Sequence, residues 1–273
     1  MATVNVTSWA EFVEAIAVSG DTVNCPENAE WDANDFAPNG IIDDIVWKCA
    51  TVEGNGTVIR NLKLTGKVKS EDNSIHYIKN LHLLDFIADG NPEHYCFFDG
   101  TYLMRGCKLS GILSNHYFYL VYNSDVSGAF AMDKCSVNLE FSCNSAIFLY
   151  QQPCDGFRYC RIQLKGANSS GIPYFGHVYY SEVILYVPNA SDRFYSKNFM
   201  GCTIRGNLQG ILTSDGSSGQ WEGASSVYCT ENFPPTWTTD LGSWFIGVTD
   251  AQLRNPEYLR GIGFPIAVNS GGE

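Results

Sequence analysis

The chain has 273 residues and a formal net charge of −12, with 45% hydrophobic and 17% charged residues. That supply of apolar side chains supports a continuous core. The acidic balance and the lack of any run of Lys or Arg argue against a nucleic-acid partner, whose phosphates need clustered cations. The same sign disfavours a polyanionic sugar substrate unless a divalent cation bridges the two.

The first predicted element is a helix over about residues 8–18. Ser8 and Glu11 have the spacing of a capping box, and Trp9, Phe12, Val13, Ile16 and Ala17 make one apolar face. Gly20 to Pro26 read as a turn entering a strand. A helix placed just before the first strands suits an end cap, because a stacked sheet exposes core residues and unpaired edges at its open end. Residues 29–40 are polar and turn-rich and read as a loop. Ile41, Ile42, Ile45, Val46 and Trp47 then supply an early apolar segment, followed by a run from Ala50 to Ile59.

From Ile59 to Gly206 one short pattern returns: Ile59 to Leu64, Ile78 to Leu83, Met104 to Leu109, Met132 to Val137, Phe157 to Ile162, Val178 to Val183 and Phe199 to Ile204. The fourth residue of each tetrad sets the register, at 62, 81, 107, 135, 160, 181 and 202. These separations lie in the range of solenoid repeats. After the register residue, apolar side chains alternate as on a strand. A strand so short cannot stand alone, but stacked on its counterpart it buries one face and pairs its backbone. Like residues then lie above like, which predicts one inward column of Cys107, Cys135, Cys160 and Cys202. The competing architecture is an antiparallel sandwich. The pattern favours an all-β parallel β-helix of about eight coils spanning 41–212, with residues 1–40 as an N-terminal cap.

The helix, Gly20-Asp21-Thr22-Val23 and the run Val52-Glu53-Gly54-Asn55-Gly56-Thr57-Val58-Ile59-Arg60-Asn61-Leu62 resemble the opening of right-handed β-helix proteins of the pectate-lyase-like class. The resemblance covers about residues 8–210 and implies architecture more than activity. The longer excursions between tetrads, rich in aromatics such as Phe97, Phe98, Tyr117 and Tyr119, must supply further strands of the coil. Aromatics so placed read as core or stacking ladder, with sugar or partner contact as the sharper reading.

After Gly210 the tetrad does not recur. Residues 213–273 carry Trp221, Trp237, Trp244 and the pair Pro234-Pro235, and read as an irregular closing or association segment, with Thr249 or Asp250 as a helix cap. The run from Val248 through Leu259 to Ile266 resembles the endings of β-helix proteins from phages and prophages of gut bacteria.

Chemistry is sparse. Ten cysteines include no Cys-x-x-Cys pair, and most sit beside apolar residues, where Cys acts as a small hydrophobe; disulfides are not expected. No zinc, calcium, phosphate or nucleophile-elbow motif occurs, and His76, His82, His94, His116 and His177 are scattered. A glycosidase needs two carboxyls about 5–9.5 Å apart. Asp85, Asp89, Glu93, Asp99, Asp125, Asp133, Asp155, Asp192 and Asp215 sit at different offsets from the register residues, so no stacked pair emerges. The expectation is therefore no catalytic, cofactor-binding or metal residue and no cofactor. No segment approaches the roughly 20 apolar residues of a membrane span, and Met1 to Val6 lack the features of a signal peptide. Together these imply a noncatalytic phage or prophage virion component (a capsid-associated decoration, spike or fibre protein) assembled in host cytoplasm. Its expected partners are its own copies, as a homotrimer, other virion proteins such as capsid, and host surface glycan. The alternative is a glycan-binding or polysaccharide-degrading tailspike; a bacterial surface adhesin is less favoured without a signal peptide.

Overall fold

A computed structural model describes residues 2–18, 20–35, 41–71, 74–89, 96–114, 119–122, 130–141, 147–150, 155–166, 174–186, 194–206, 211–213, 226–232 and 245–264. Its strands stack as a parallel β-solenoid of about five turns. In each of these turns the chain crosses three faces. The first face carries Thr22–Asn24, Thr51–Glu53, Ile75–Lys79, Thr101–Arg105 and Phe130–Asp133. The second carries Glu30–Asp32, Val58–Arg60, His82–Ala88, Lys108–Leu113 and Ser136–Phe141. The third carries Ile45–Trp47, Val68–Ser70, Cys96–Asp99, Tyr119–Tyr122 and Ile147–Tyr150. Every pairing between turns is parallel, as the tetrad reading requires.

Fewer full turns occur than the eight coils expected, because the cross-section changes. Tyr174–Tyr179 is long enough to pair with the third face at Ile147 and with the first at Phe157 and Arg158. From there the first and third faces merge, and Phe194–Met200 and Ile211–Thr213 follow on the merged sheet. The second face continues without interruption through Arg161–Gly166, Glu182–Tyr186, Thr203–Gly206, Ser226–Cys229 and Phe245–Val248. The sheet thus outlasts the tetrad, and strands continue into the segment after 213.

The corner between the first and second faces explains the tetrad. Its third residue is Asn80, Gly106, Lys134, Tyr159, Tyr180 or Gly201, and all six have positive φ, between 47° and 67°. That left-handed kink turns the chain and aims the fourth residue inward. Leu81, Cys107, Cys135, Cys160, Ser181 and Cys202 are all buried there in one column. The first tetrad is out of phase. Thr57, not Leu62, occupies the column beneath Leu81, since Ile59 pairs with Leu83. Asn61 and Leu62 form a separate left-handed corner further along the second face, beside Phe86.

The N-terminal helix, α1 (Trp9–Ile16), caps the open end. The Ser8 hydroxyl accepts from the Glu11 amide at 3.3 Å, while the Glu11 carboxylate accepts from the Thr7 amide and hydroxyl rather than from Ser8. Trp9, Phe12, Ala15 and Ile16 are buried, with Phe12 stacked on Trp9, tilted against Trp31 and edge-on to Trp47. The Ile16 carbonyl accepts from the amides of Lys48 and Cys49, so the helix end also satisfies the first third-face strand. The expected loop over 29–40 contains Glu30–Asp32, the first strand of the second face, whose Trp31 pairs with Ile59. Near the C-terminus, α2 (Asp250–Leu253) and α3 (Pro256–Gly261) bring Leu253, Leu259 and Phe264 against Val227, Cys229 and Val248 in a second small core. Thr249 caps α2 in a capping box with Gln252.

Candidate functional site

Among the described residues, a concavity on the outer surface runs along the second face. In His82–Ala88 two residues, Leu84 and Asp85, oppose the single Ser110 of the next strand, and Asp85 takes φ 58°. This bulge bends the strand and turns Phe86 into the core. Next to it Gly111 lies so close to Phe86 that a Cβ would come within 2.3 Å of its carbonyl oxygen. Along the bend, on the outer side, runs a groove of about 360 Å³.

Two outward columns line it. One runs Ser110, Asn138, Gln163 and the other Ile87, Ile112, Glu140, Lys165. Counted from the corner residues Cys107, Cys135 and Cys160, these are the third and fifth positions, so the alternation already points them outward. Neutral hydrogen-bonding side chains at these positions carry no charge signal, so the spacing of acids does not reveal them. The groove therefore presents hydroxyl and amide groups beside an aliphatic strip, with Ile87 and Ile112 each 41% exposed. Glu140 and Lys165 pair at 3.2 Å.

Of the candidate acids described, Asp85, Asp99 and Asp133 are matched to cations in neighbouring turns. Asp85 pairs with Arg60 at 2.8 Å and Asp99 with Lys67 at 2.5 Å. Asp133 lies between Arg158 at 3.0 Å and Arg105 at 3.7 Å, and the hydrogen bond from Arg158 raises that guanidinium further above its usual value. Asp89 accepts from the Ser114 hydroxyl at 2.6 Å. Glu93, Asp125, Asp192, Asp215 and the Asp155 side chain lie outside the described residues, as do His94 and His116. Charges of opposite sign alternate along the same columns elsewhere: Glu53 with Lys79, and Glu182 with both Arg161 and Arg205. Such a surface engages these carboxylates in ion pairs between turns. Among the described residues no group of three or more His, Cys, Asp or Glu is placed to hold a metal ion, and no helix is long and apolar enough to cross a membrane.

The thiols are not poised for chemistry either. Eight of the cysteines are described, and all are free and buried. Burial pushes Cys25, Cys49, Cys96 and Cys202 up to about 12. In the corner column the sulfurs hydrogen-bond. Cys160 Sγ accepts from the Cys135 amide at 3.4 Å and donates to the Met132 carbonyl at 3.4 Å. Ser181 and Ser226 hydroxyls accept from the Cys160 and Cys202 amides in the same way. The small-hydrophobe reading of these cysteines is thus incomplete. The other imidazoles are similarly engaged: His76 sits inside the solenoid between the Cys49 carbonyl and the Ser70 hydroxyl, and His82 Nδ1 accepts from the Lys108 amide.

No protein-family model matches the chain, and no curated protein or solved structure matches it either. What stands of the resemblance is the parallel β-solenoid itself.

Proposed function

We propose that this chain is a noncatalytic structural component of a phage or prophage particle, a decoration, spike or fibre protein carried on the capsid. The observation that carries this reading is the pairing of Asp85, Asp99, Asp133 and Asp89 with Arg, Lys or hydroxyl groups of neighbouring turns, which braces one turn against the next. Stacked short strands with such braces make a stiff rod whose turns each support the next. The closing run near Leu253 and Leu259, similar to phage β-helix endings, gives the particle assignment; the fold alone hosts many functions.

Two measurements test it. Antibody raised to the chain should label particles released on lysis of the host. Purified protein incubated with capsular or wall polysaccharide of that host should release no new reducing ends or unsaturated sugars. Steady turnover abolished by Asp99→Asn or Asp125→Asn would replace this reading with the depolymerase. The second-face groove favours one second reading, a glycan-binding tailspike, because amide and hydroxyl columns beside an aliphatic strip suit sugar hydroxyls and C–H faces.

A further inference from the structure

The second face carries a symmetry in its charges that goes beyond the particle reading and does not depend on it. Along its fifth outward column the stacked residues run Ile41, Lys63, Ile87, Ile112, Glu140, Lys165. Along the column just after the corner they run Glu30, Val58, His82, Lys108, Ser136, Arg161. Reversing either column about the gap between the His82–Ala88 and Lys108–Leu113 strands places opposite charges, or apolar groups, opposite each other at most positions. Lys63 meets Glu140, Glu30 meets Arg161, Ile87 meets Ile112, and Ile41 meets the alkyl stem of Lys165. The bulged column between them opposes Asp85 to Ser110 and Arg60 to Asn138.

We infer that the second face binds a second copy of this chain, through a two-fold axis parallel to the strands and midway between Ile87 and Ile112. A two-fold interface must be self-complementary, each residue meeting its mate twice. Here the Ile87–Ile112 pair lies at one end of the axis, Asp85 and Ser110 at its middle and the opposite charges further out, so the match is chiefly electrostatic. Ile87 and Ile112 are exposed in the single chain, and Lys63 enters no described ion pair. His82 opposes Lys108 without a clash of charge while its ring is neutral, the form in which it accepts from the Lys108 amide of its own chain. At ~4.8 Å between strands and ~3.3 Å per residue, the patch measures roughly 25 by 17 Å. About 400 Å² on each copy, roughly 800 Å² in all, is less than a stable specific interface buries, so the dimer is weak and depends on concentration.

Sedimentation of the full-length protein across a micromolar to millimolar series tests this. The expected result is a monomer–dimer equilibrium that weakens with salt. Ile112→Arg, at an exposed position, should raise the dissociation constant roughly tenfold or more while leaving the circular dichroism melt unchanged. Lys63→Glu should weaken the dimer by bringing two carboxylates together, and Lys63→Glu with Glu140→Lys should recover most of the loss. A monomer throughout the series, or a trimer indifferent to Ile112→Arg, would overturn the inference. So would a dimer that the double reversal fails to restore. Maltohexaose that binds the monomer and is blocked by Ile112→Arg, with no dimer at any concentration, would assign the face to carbohydrate instead.

Discussion

Cys160 shows what one side chain contributes at a corner of this solenoid. Its sulfur takes the Cys135 amide and gives its proton to the Met132 carbonyl, so an amide that the turn removes from the ladder is satisfied in the core. Ser181 and Ser226 occupy equivalent positions with the same amide contact, which predicts what substitutions will do. Cys160→Ser should cost less than about 1 kcal/mol, whereas Cys160→Val, which strands the Cys135 amide, should cost about 1–3 kcal/mol. Urea denaturation of the two variants checks this, and equal losses would reduce the column to packing alone. Cys135→Asp should be worse than either, because an unpaired carboxylate would be buried there. The thiols also set an alkaline limit. Cys25, Cys49, Cys96 and Cys202 have folded values pushed from 9.0 up to about 12, so the folded chain holds protons that the unfolded chain releases. Stability is unaffected below pH 9 and falls as pH rises from about 9 towards 12. A denaturation midpoint that holds steady from pH 8 to pH 11 would contradict this.

At the scale of the element, the corner is the repeating unit, and its cost falls on the third tetrad residue. Asn80, Gly106 and Gly201 accept a left-handed backbone readily, but Lys134, Tyr159 and Tyr180 do not. The two tyrosines recover some of this by stacking across turns, with ring centroids 5.6 Å apart, and Arg158 lies over Tyr159. Lys134 is exposed and has no such ring contact, so Lys134→Asn should stabilise the fold by roughly 0.5–1 kcal/mol. A lower melting temperature for that variant would show that the lysine contributes something beyond the turn. The corner also explains which parts of the fold were legible. From Ile78 onward the tetrad includes both the kink and the inward residue, so register and column follow from spacing. The Ile59 tetrad has the same residue types but lies one corner later, and apolar alternation alone cannot separate two corners of one strand. Glu30–Asp32 went unseen because a single buried Trp31 between acids carries no alternation. The groove is legible only in the structure, because it follows the bulge at Leu84 and Asp85, and neither charge nor alternation in the sequence marks such an insertion.

Across the whole molecule, each turn is stabilised by its neighbours, and the ends decide whether the rod stays single. Surface ion pairs such as Asp133 with Arg158 contribute at most about 1 kcal/mol each; their larger effect is to keep like charges from stacking in register. At the N-terminal end α1 covers Trp31 and Trp47 and bonds the first third-face strand. At the other end Ser226–Cys229, Phe245–Val248, α2 and α3 cover the last tetrad, and the Ser226 hydroxyl holds the Cys202 amide. Removing residues 221–273 should therefore leave the earlier turns formed, since their strands pair with one another and not with this segment. It should also uncover the free edge of Thr203–Gly206 with Cys202 and Ile204 beside it, an invitation to edge-to-edge association. The truncated chain should keep the far-ultraviolet dichroism of parallel sheet while light scattering reports open-ended growth that Ile112→Arg does not prevent. Complete loss of sheet signal would mean that the C-terminal segment nucleates the solenoid. A truncated chain that stays the size of the intact protein would mean that the turns up to Gly206 already close their own end.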